Sequence, residues 1–381
     1  MSAPEQPAAQ DVAAPDPDPR PRVALVFGGH SSEHQISCLS AGSILAAIDR
    51  RRYRVVAVGI TRSGSWQLVS DDPDDYRIVD GELPAIMGND RPVLLSADPA
   101  VGGLIDAAGR RIAIDVVFPV LHGAYGEDGT IQGLCELAGL PFVGSGVAAS
   151  AICMDKILTK DLLGGAGIPI GAYLGVTDRQ WRHSREDVLR RALEMGLPLF
   201  VKPARAGSSV GISKVSVAGD LAAAIDAARD HDPRVIIEAA ITGGREIECG
   251  VLAGTGGDPP QISACAEIEV LGPHEFYDFE AKYLDGSARI TVPAVLDDGI
   301  RDRIEMIALR AFDTLGCEGM ARIDMFVTAD GSVLVNEPNT IPGFTATSMY
   351  PVVWAAAGVA YPDLLDRLLQ DAIGRSGTGP S

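Results

Sequence analysis

Ala321-Arg-Ile-Asp-Met-Phe-Val327, followed by Thr-Ala-Asp-Gly and then Ser332-Val-Leu-Val-Asn-Glu-Pro-Asn-Thr340, reads as two short alternating strands joined at Asp330-Gly331. An Asp-Gly pair between alternating runs predicts a hairpin with a two-residue type I′ turn, because both turn positions need positive φ. With the turn there, Ala329 faces Ser332 and, counting outward, Asp324 lies directly opposite Glu337. Cross-strand partners sit about 4.5–5.5 Å apart at Cβ. Alternation places Arg322 and Asn339 on the same face. Two carboxylates set opposite each other repel, and a hard cation between them removes the cost: Asp, Glu and Asn oxygens suit Mg²⁺, which borrows its remaining ligands from phosphates and water. Taken alone, an Asp–Glu pair is more often a solvated hairpin face. Arg322 on the same face and the Gly/Pro-rich Ile341-Pro-Gly-Phe344 beyond it favour a site.

The 381 residues suffice for two or three domains, and 46% hydrophobic content is ordinary for a soluble globular chain. A formal charge of −19 argues against nucleic acid as a partner, since no basic surplus exists to displace counterions. A small anionic ligand needs only a local cationic cluster. Cys38, Cys135, Cys153, Cys249, Cys265 and Cys317 are scattered without CxxC spacing, the usage of a reducing compartment. Residues 1–21 carry neither a basic n-region nor an apolar run and read as a disordered tail, as do residues 374–381. No apolar run is long enough to predict a membrane span, so a cytoplasmic protein is expected.

Arg22-Val-Ala-Leu-Val-Phe27 has the pattern of a buried strand, closed by Gly28-Gly29. A helix opening at Ser31-Ser32-Glu33 and a strand over Tyr53–Ile60 complete a βαβ unit with a parallel sheet. Glu33 reads equally as a helix-start residue and as a carboxylate placed, at the carboxyl end of the sheet, to hold a substrate ammonium. Residues from about Ser63 to Arg111 look loop-rich. Ile114–Leu121 is the next strand, ending in His122-Gly-Ala-Tyr-Gly-Glu-Asp-Gly129, with a helix over Thr130–Ala138. Met154-Asp-Lys156 precedes a helix over Ile157–Ala166. Leu197–Lys202 and Val210–Val215 are strands flanking Pro203-Ala-Arg-Ala-Gly-Ser-Ser209. Lys202 stands before this small-residue loop and a hairpin follows, so it is not a Walker A loop, yet converging backbone N–H groups and a lysine can still hold phosphate. Val235–Glu238 and Arg245–Leu252 are strands, with Glu246 and Glu248 on one face. Leu271–Ser287, containing Tyr277-Asp-Phe-Glu-Ala-Lys-Tyr283, has no clear period and reads as a lid. A helix from about Gly299 to Phe312 and a closing helix over Pro362–Ile373 complete the chain.

Seven of these stretches together carry a resemblance. Phe27-Gly-Gly-His-Ser-Ser-Glu33, His122–Gly129, Met154-Asp-Lys156, Lys202–Gly211, Glu280-Ala-Lys-Tyr283, Arg322-Ile-Asp324 and Asn336–Thr345 stand in the order and spacing of the D-alanine–D-alanine ligases of the ATP-grasp superfamily. Over about residues 22–373 the chain resembles that family. The resemblance implies an α/β fold: an N-terminal parallel-sheet domain of pre-ATP-grasp, Rossmann-like type over 22–142, followed by a two-subdomain ATP-grasp fold. The central subdomain would span 143–236 and the C-terminal one 237–373, with a lid at about 271–287.

The same resemblance implies the ligands and the roles. Asp324, Glu337 and Asn339 would hold two Mg²⁺ or Mn²⁺ ions bridging the phosphates of ATP. Lys156 and Lys202 would contact phosphates, and the backbone at Ser208 and Ser209 would cap them. Glu238 and Asn336 would line the nucleotide pocket, Glu246 would take the ribose, and Lys282 and Tyr283 would come from the lid. Glu33 would hold the ammonium of the first D-alanine, linked through Ser208 to Tyr283. Ser348 would hold the carboxylate of the second D-alanine, with His122 nearby, and Arg322 with the Gly343 N–H would stabilise the oxyanion. The family pattern implies a homodimer. Other readings are a different ATP-grasp carboxylate–amine ligase, or a catalytically dead nucleotide-binding regulator; the presence of Asp324, Glu337, Asn339, Arg322 and both lysines speaks against the second. Relatives that join D-lactate tend to lack the lid Lys-Tyr pair, so Lys282-Tyr283 favours D-alanine.

Overall fold

The computed structural model describes residues 18–207, 210–254, 256–270 and 288–375. Ser208, Ser209, the expected lid with Lys282 and Tyr283, and most of both expected tails lie outside the described residues.

The first sheet begins with β1 (Arg22–Gly28), whose Val23 to Phe27 are almost wholly buried, as an interior parallel strand requires. It pairs in parallel with β2 (Arg54–Ile60) on one side and β7 (Val116–Val120) on the other. The connection through α1 (His34–Ala47) is the expected βαβ unit. A short antiparallel strand, β3 (Trp66–Leu68), lies outside β2. The segment expected as loop is therefore partly sheet: besides β3 it forms β4 (Val93–Leu95), β5 (Gly103–Asp106) and β6 (Arg111–Ala113), a separate antiparallel sheet. These strands have three or four residues each, too few for alternation to stand out.

After α2 (Thr130–Leu137) and α3 (Val147–Met154), Asp155 caps α4 (Lys156–Gly165) by accepting from the Ile157 and Leu158 N–H groups at 3.1 and 3.2 Å. The Asp of Met-Asp-Lys thus sets where the helix starts and aims Lys156 from its first turn. The second sheet, in the order β10-β9-β11-β8, is antiparallel and comprises β8 (Tyr173–Val176), β9 (Leu199–Pro203), β10 (Ser213–Val215) and β11 (Val235–Ala239). Leu199, Val201, Val235 and Ile237 face a core covered by α5 (Asp178–His183), α6 (Arg185–Glu194) and α7 (Leu221–Arg229). Alternation turns Lys202 and Glu238 to the opposite face.

The third sheet is β14-β13-β12-β15-β16, also antiparallel: β12 (Arg245–Leu252), β13 (Gln261–Val270), β14 (Ala288–Thr291), β15 (Met320–Val327) and β16 (Val333–Asn339). Ile247, Cys249, Ile323, Met325, Val333 and Val335 pack against α8 (Asp298–Thr314). The chain closes with α9 (Met349–Ala356) and α10 (Tyr361–Arg375). These helices share one core with the first and third sheets: Phe118 of β7 meets Phe344, just ahead of α9, edge-on at 5.9 Å, and the Tyr350 hydroxyl donates to the Val251 carbonyl of β12 at 2.9 Å. The closing helix runs past the expected Ile373 to Arg375, whose guanidinium donates to the carbonyls of Phe142 and Gly144 at 3.0 and 3.1 Å. All six cysteines are buried thiols. Among the described residues no helix is long and apolar enough to cross a membrane.

Candidate active site

The β15–β16 hairpin pairs Asp324 with Glu337 and Arg322 with Asn339, as alternation predicts, but reaches that pairing by another route. The turn is not a two-residue type I′ turn. Thr328 and Ser332 close a three-residue loop, the Thr328 N–H donating to Ser332 at 2.9 Å and the Gly331 N–H to Thr328 at 2.9 Å, with Gly331 at φ +78°. A three-residue loop ending on a left-handed glycine is the next commonest hairpin connection. It shifts the register by one, pairing Val327 with Val333 and Met325 with Val335. A bulge between Asp324/Met325 and their partners then absorbs Asn336 and shifts the register back. A one-residue slip turns every side chain to the other face. Val335 therefore faces the α8 core, while Glu337, two residues on, faces the site.

On that face Arg322 grips Asp324 bidentately, Nε and Nη2 each donating at 2.7 Å, and Asn339 Nδ2 donates to the same carboxylate at 2.9 Å. Glu248, directly opposite Asp324 on β12, brings Oε2 to 3.0 Å from Arg322 Nε. Glu337 Oε2 lies 3.8 Å from Lys156 Nζ, which also donates to the Ala206 carbonyl at 2.7 Å. The donor set of Asp, Glu and Asn oxygens is hard and suits Mg²⁺ or Mn²⁺. Each carboxylate is steadied by a cation, and neither leans on the other.

Across the cleft, Glu238 and Lys202 of the second sheet and Lys160 of α4 form a lysine–glutamate–lysine row. Glu238 receives Lys160 on Oε1 and Lys202 on Oε2, both at 2.8 Å, with all three side chains mostly buried. Burial alone would raise the Glu238 carboxyl, but the two ammonium groups outweigh it and hold the pKa at about 2. Burial likewise works against the Lys202 charge, and Glu238, Glu337 and Glu246 overcome it, raising its pKa. The Glu238 carboxylate thus has one ammonium group on each of its oxygens.

At the far end Glu33 sits at the start of α1 and does not cap it through its side chain. Its Oε2 lies where a Cβ on Gly207 or Gly123 would come within 2.9 or 3.0 Å, so both loops pack closely against the carboxylate, and Gly123 takes a left-handed φ of +74° there. His122 is buried. Its Nδ1 donates to the Ile341 carbonyl at 3.0 Å, which leaves Nε2 as acceptor for the Ser40 hydroxyl at 3.3 Å; Ser40 in turn accepts the Phe344 N–H at 3.2 Å. Desolvation, only partly opposed by Glu33, lowers the His122 pKa and keeps the ring neutral. Glu127 takes the N–H groups of Gly123 at 2.7 Å and Ile341 at 3.2 Å. His122 and Glu127 therefore hold the Ile341 residue by both its C=O and its N–H, fixing the loop that carries Gly343. Ser348 begins α9, yet its hydroxyl faces Thr345, accepting its N–H at 3.0 Å.

These groups line one cavity of about 710 Å³ between the second and third sheets and the first sheet's loops. It contains Glu33, His122, Lys156, Lys202, Glu238, Glu246, Arg322, Asp324, Asn336, Glu337, Asn339, Gly343 and Ser348, every expected site residue that the structure describes. Lys160, Glu127 and Glu248 line it too, though the sequence reading gave them no role. Lys160 follows Lys156 by one helical turn, and Glu127 stands inside the His122–Gly129 motif. Those spacings were the only signals available.

Burial and the neighbouring Glu33 push the Glu127 carboxyl up to about 8 from its usual 4.5. Between those values the folded chain keeps a proton that the unfolded chain has released, so stability falls as pH rises, by up to about 1.4 kcal/mol per pH unit. Glu127→Gln is expected to remove this slope. Denaturant unfolding of both proteins from pH 5 to 8 checks it, and parallel curves would refute it.

A parallel-sheet domain feeding two antiparallel sheets, with lysines on one and carboxylates on the other across a shared cleft, is the pre-ATP-grasp plus ATP-grasp architecture. The D-ala D-ala ligase N-terminus model matches residues 22–145 and the D-ala D-ala ligase C-terminus model matches residues 162–370. The chain belongs to the D-alanine–D-alanine ligase family. It is 53% identical over 370 residues to the D-alanine–D-alanine ligase of Mycolicibacterium vanbaalenii, covering 94% of this chain and 99% of that one. Against the enzyme of the same name from Mycobacterium tuberculosis it is 52% identical over 369 residues, covering 94% and 97%. Among solved structures, the VanG D-Ala:D-Ser ligase of Enterococcus faecalis superposes with TM-score 0.79 at 37% identity, covering 92% and 98% of the two chains. The D-alanine–D-alanine ligase of Coxiella burnetii gives 0.77 at 35%, covering 94% and 97%.

Proposed function

We propose that this protein joins two D-alanine molecules into D-alanyl-D-alanine with ATP, releasing ADP and phosphate, as a step in making peptidoglycan precursors. One observation carries the reading: a face of Asp324, Glu337, Asn339 and Arg322 stands in one cavity with Lys156 and Lys202, and with Glu33 at its far end. Lys156 and Lys202 receive phosphates, the backbone at Ser208 and Ser209 caps them, and Glu246 takes the ribose. Glu33 holds the first substrate's ammonium. That substrate's carboxylate attacks the γ-phosphate, and the cationic side chains lower the repulsion between the two anions. Two Mg²⁺ or Mn²⁺ ions on Asp324, Glu337 and Asn339 would supply further charge neutralisation there.

The resulting D-alanyl phosphate needs protection from water, the purpose we assign to the segment carrying Lys282 and Tyr283. The second D-alanine, its carboxylate at Ser348, attacks with its amine. Arg322 and the Gly343 N–H meet the oxyanion, and phosphate leaves. The His122–Glu127 hold on Ile341 supports the placement of Gly343. We read the chain as three units, 22–142, 143–236 and 237–373, acting as a cytoplasmic homodimer without nucleic-acid or membrane partners.

A second reading takes D-serine as the second substrate, favoured by the likeness to the VanG D-Ala:D-Ser ligase; the higher identity to D-alanine–D-alanine ligases favours D-alanine. ADP release measured with D-alanine, D-serine, D-lactate and L-alanine separates them. Absence of D-alanine-dependent turnover would end the first reading.

A further inference from the structure

Glu248 lies on β12 in the wall of the cavity. It is 2% exposed, and β12 sets it squarely across from Asp324, which β16 in turn sets across from Glu337. Three carboxylates thus lie in a row across adjacent strands, and Arg322 Nε reaches the first two. Like charges placed opposite each other are costly, and a buried one more so, unless a cation serves both.

We propose that Glu248 is a positioning residue for Arg322: it retains the guanidinium when Asp324 gives up its arginine contacts to a divalent cation. The inference rests on Asp324 being a metal ligand. Both Asp324 oxygens are engaged by Arg322, and Oδ2 also accepts from Asn339. These bonds take three of the four lone-pair directions, so a cation that binds Asp324 shares the carboxylate with the Arg322 guanidinium and repels it. An arginine with no second anchor would either stay and compete with the cation or leave and lose its aim at the oxyanion. Glu248 resolves this because its Oε2 already lies 3.0 Å from Nε, so a small rotation of the guanidinium exchanges one carboxylate for the other. The transfer keeps a buried positive charge paired throughout.

The test is Mn²⁺ binding to the full-length protein saturated with ADP, with free Mn²⁺ read by electron paramagnetic resonance. Glu248→Gln should weaken Mn²⁺ by about fivefold to tenfold, because Arg322 then loses the anion that draws it away from Asp324. In an Arg322→Met background the same substitution should change Mn²⁺ affinity little, since the competitor is gone. An equal loss in both backgrounds would mean that Glu248 merely attracts the cation through space, and overturns the proposal, as does no loss beside Arg322. Asp324→Asn is the control. If it leaves Mn²⁺ affinity unchanged, the metal reading of Asp324 falls and this inference with it; if Asp324→Asn abolishes binding while Glu248→Gln has no effect, only the inference falls. Should Glu248→Gln fail to fold, Glu248→Asp makes the same comparison, with a smaller loss expected beside Arg322 and none beside Met.

Discussion

Asp324→Ala is expected to lower turnover by a factor on the order of 10³ or more while the fold survives, since a metal clamp on transferring phosphate contributes several kcal/mol to the transition state. Among the described residues Asp324 accepts hydrogen bonds from Arg322 and Asn339, and the same carboxylate is the central metal ligand of the proposed mechanism. Breaking a buried ion pair from one side usually destabilises a protein by about 3–5 kcal/mol, because the remaining charge is stranded. Here the loss should be smaller: Arg322 remains beside Glu248, and Asn339 can turn toward the cavity. Turnover by coupled ADP release at saturating Mg²⁺, with a thermal melt on the same sample, reads both effects. Activity kept at saturating Mg²⁺ would remove Asp324 from the metal site.

Glu238→Gln is expected to destabilise the fold by about 3–5 kcal/mol near neutral pH. It leaves Lys160 and Lys202 facing each other in a mostly buried setting with no anion between them. The pH dependence has a definite sign. The folded carboxyl titrates at about 2 and the unfolded one near 4.5, so its contribution is complete above about 4.5 and disappears as pH falls through 2. Urea unfolding of the two proteins should therefore differ most at pH 6–7 and converge in acid. Nucleotide affinity should fall as well, since Lys202 loses the partner that aims it. A stability difference below about 1 kcal/mol at pH 7 would show that the lysines find another partner, and the row would lose its structural role.

Much of the architecture was legible where periods are long. The β1–α1–β2 unit, the β12 strand and the closing helix follow from runs of seven or more residues with one clear period. Missed were β4, β5 and β6, which are only three or four residues long, and α5, α6 and α7, whose covering role depends on the sheet beneath them. Among site residues, each one carried by the family motifs and described by the structure lies in the cavity. Lys160, Glu127 and Glu248 did not declare themselves, because their partners are far away in the chain: Glu238, Ile341 and Arg322 respectively.

The hairpin separates the two kinds of information. That Asp324, Arg322, Glu337 and Asn339 share a face follows from local rules, since side chains alternate along a strand and a hairpin ties its two strands together. The way they come to share it was set by packing. The loop took three residues, displacing the register by one, and the bulge at Asn336 displaced it back. The reason is burial: Val333 and Val335 had to face α8 while Glu337 and Asn339 faced the cleft, and a strictly alternating strand cannot supply both across one interval. Loop and bulge are each low in cost, and the packing of α8 against the sheet selects the combination that satisfies both sides.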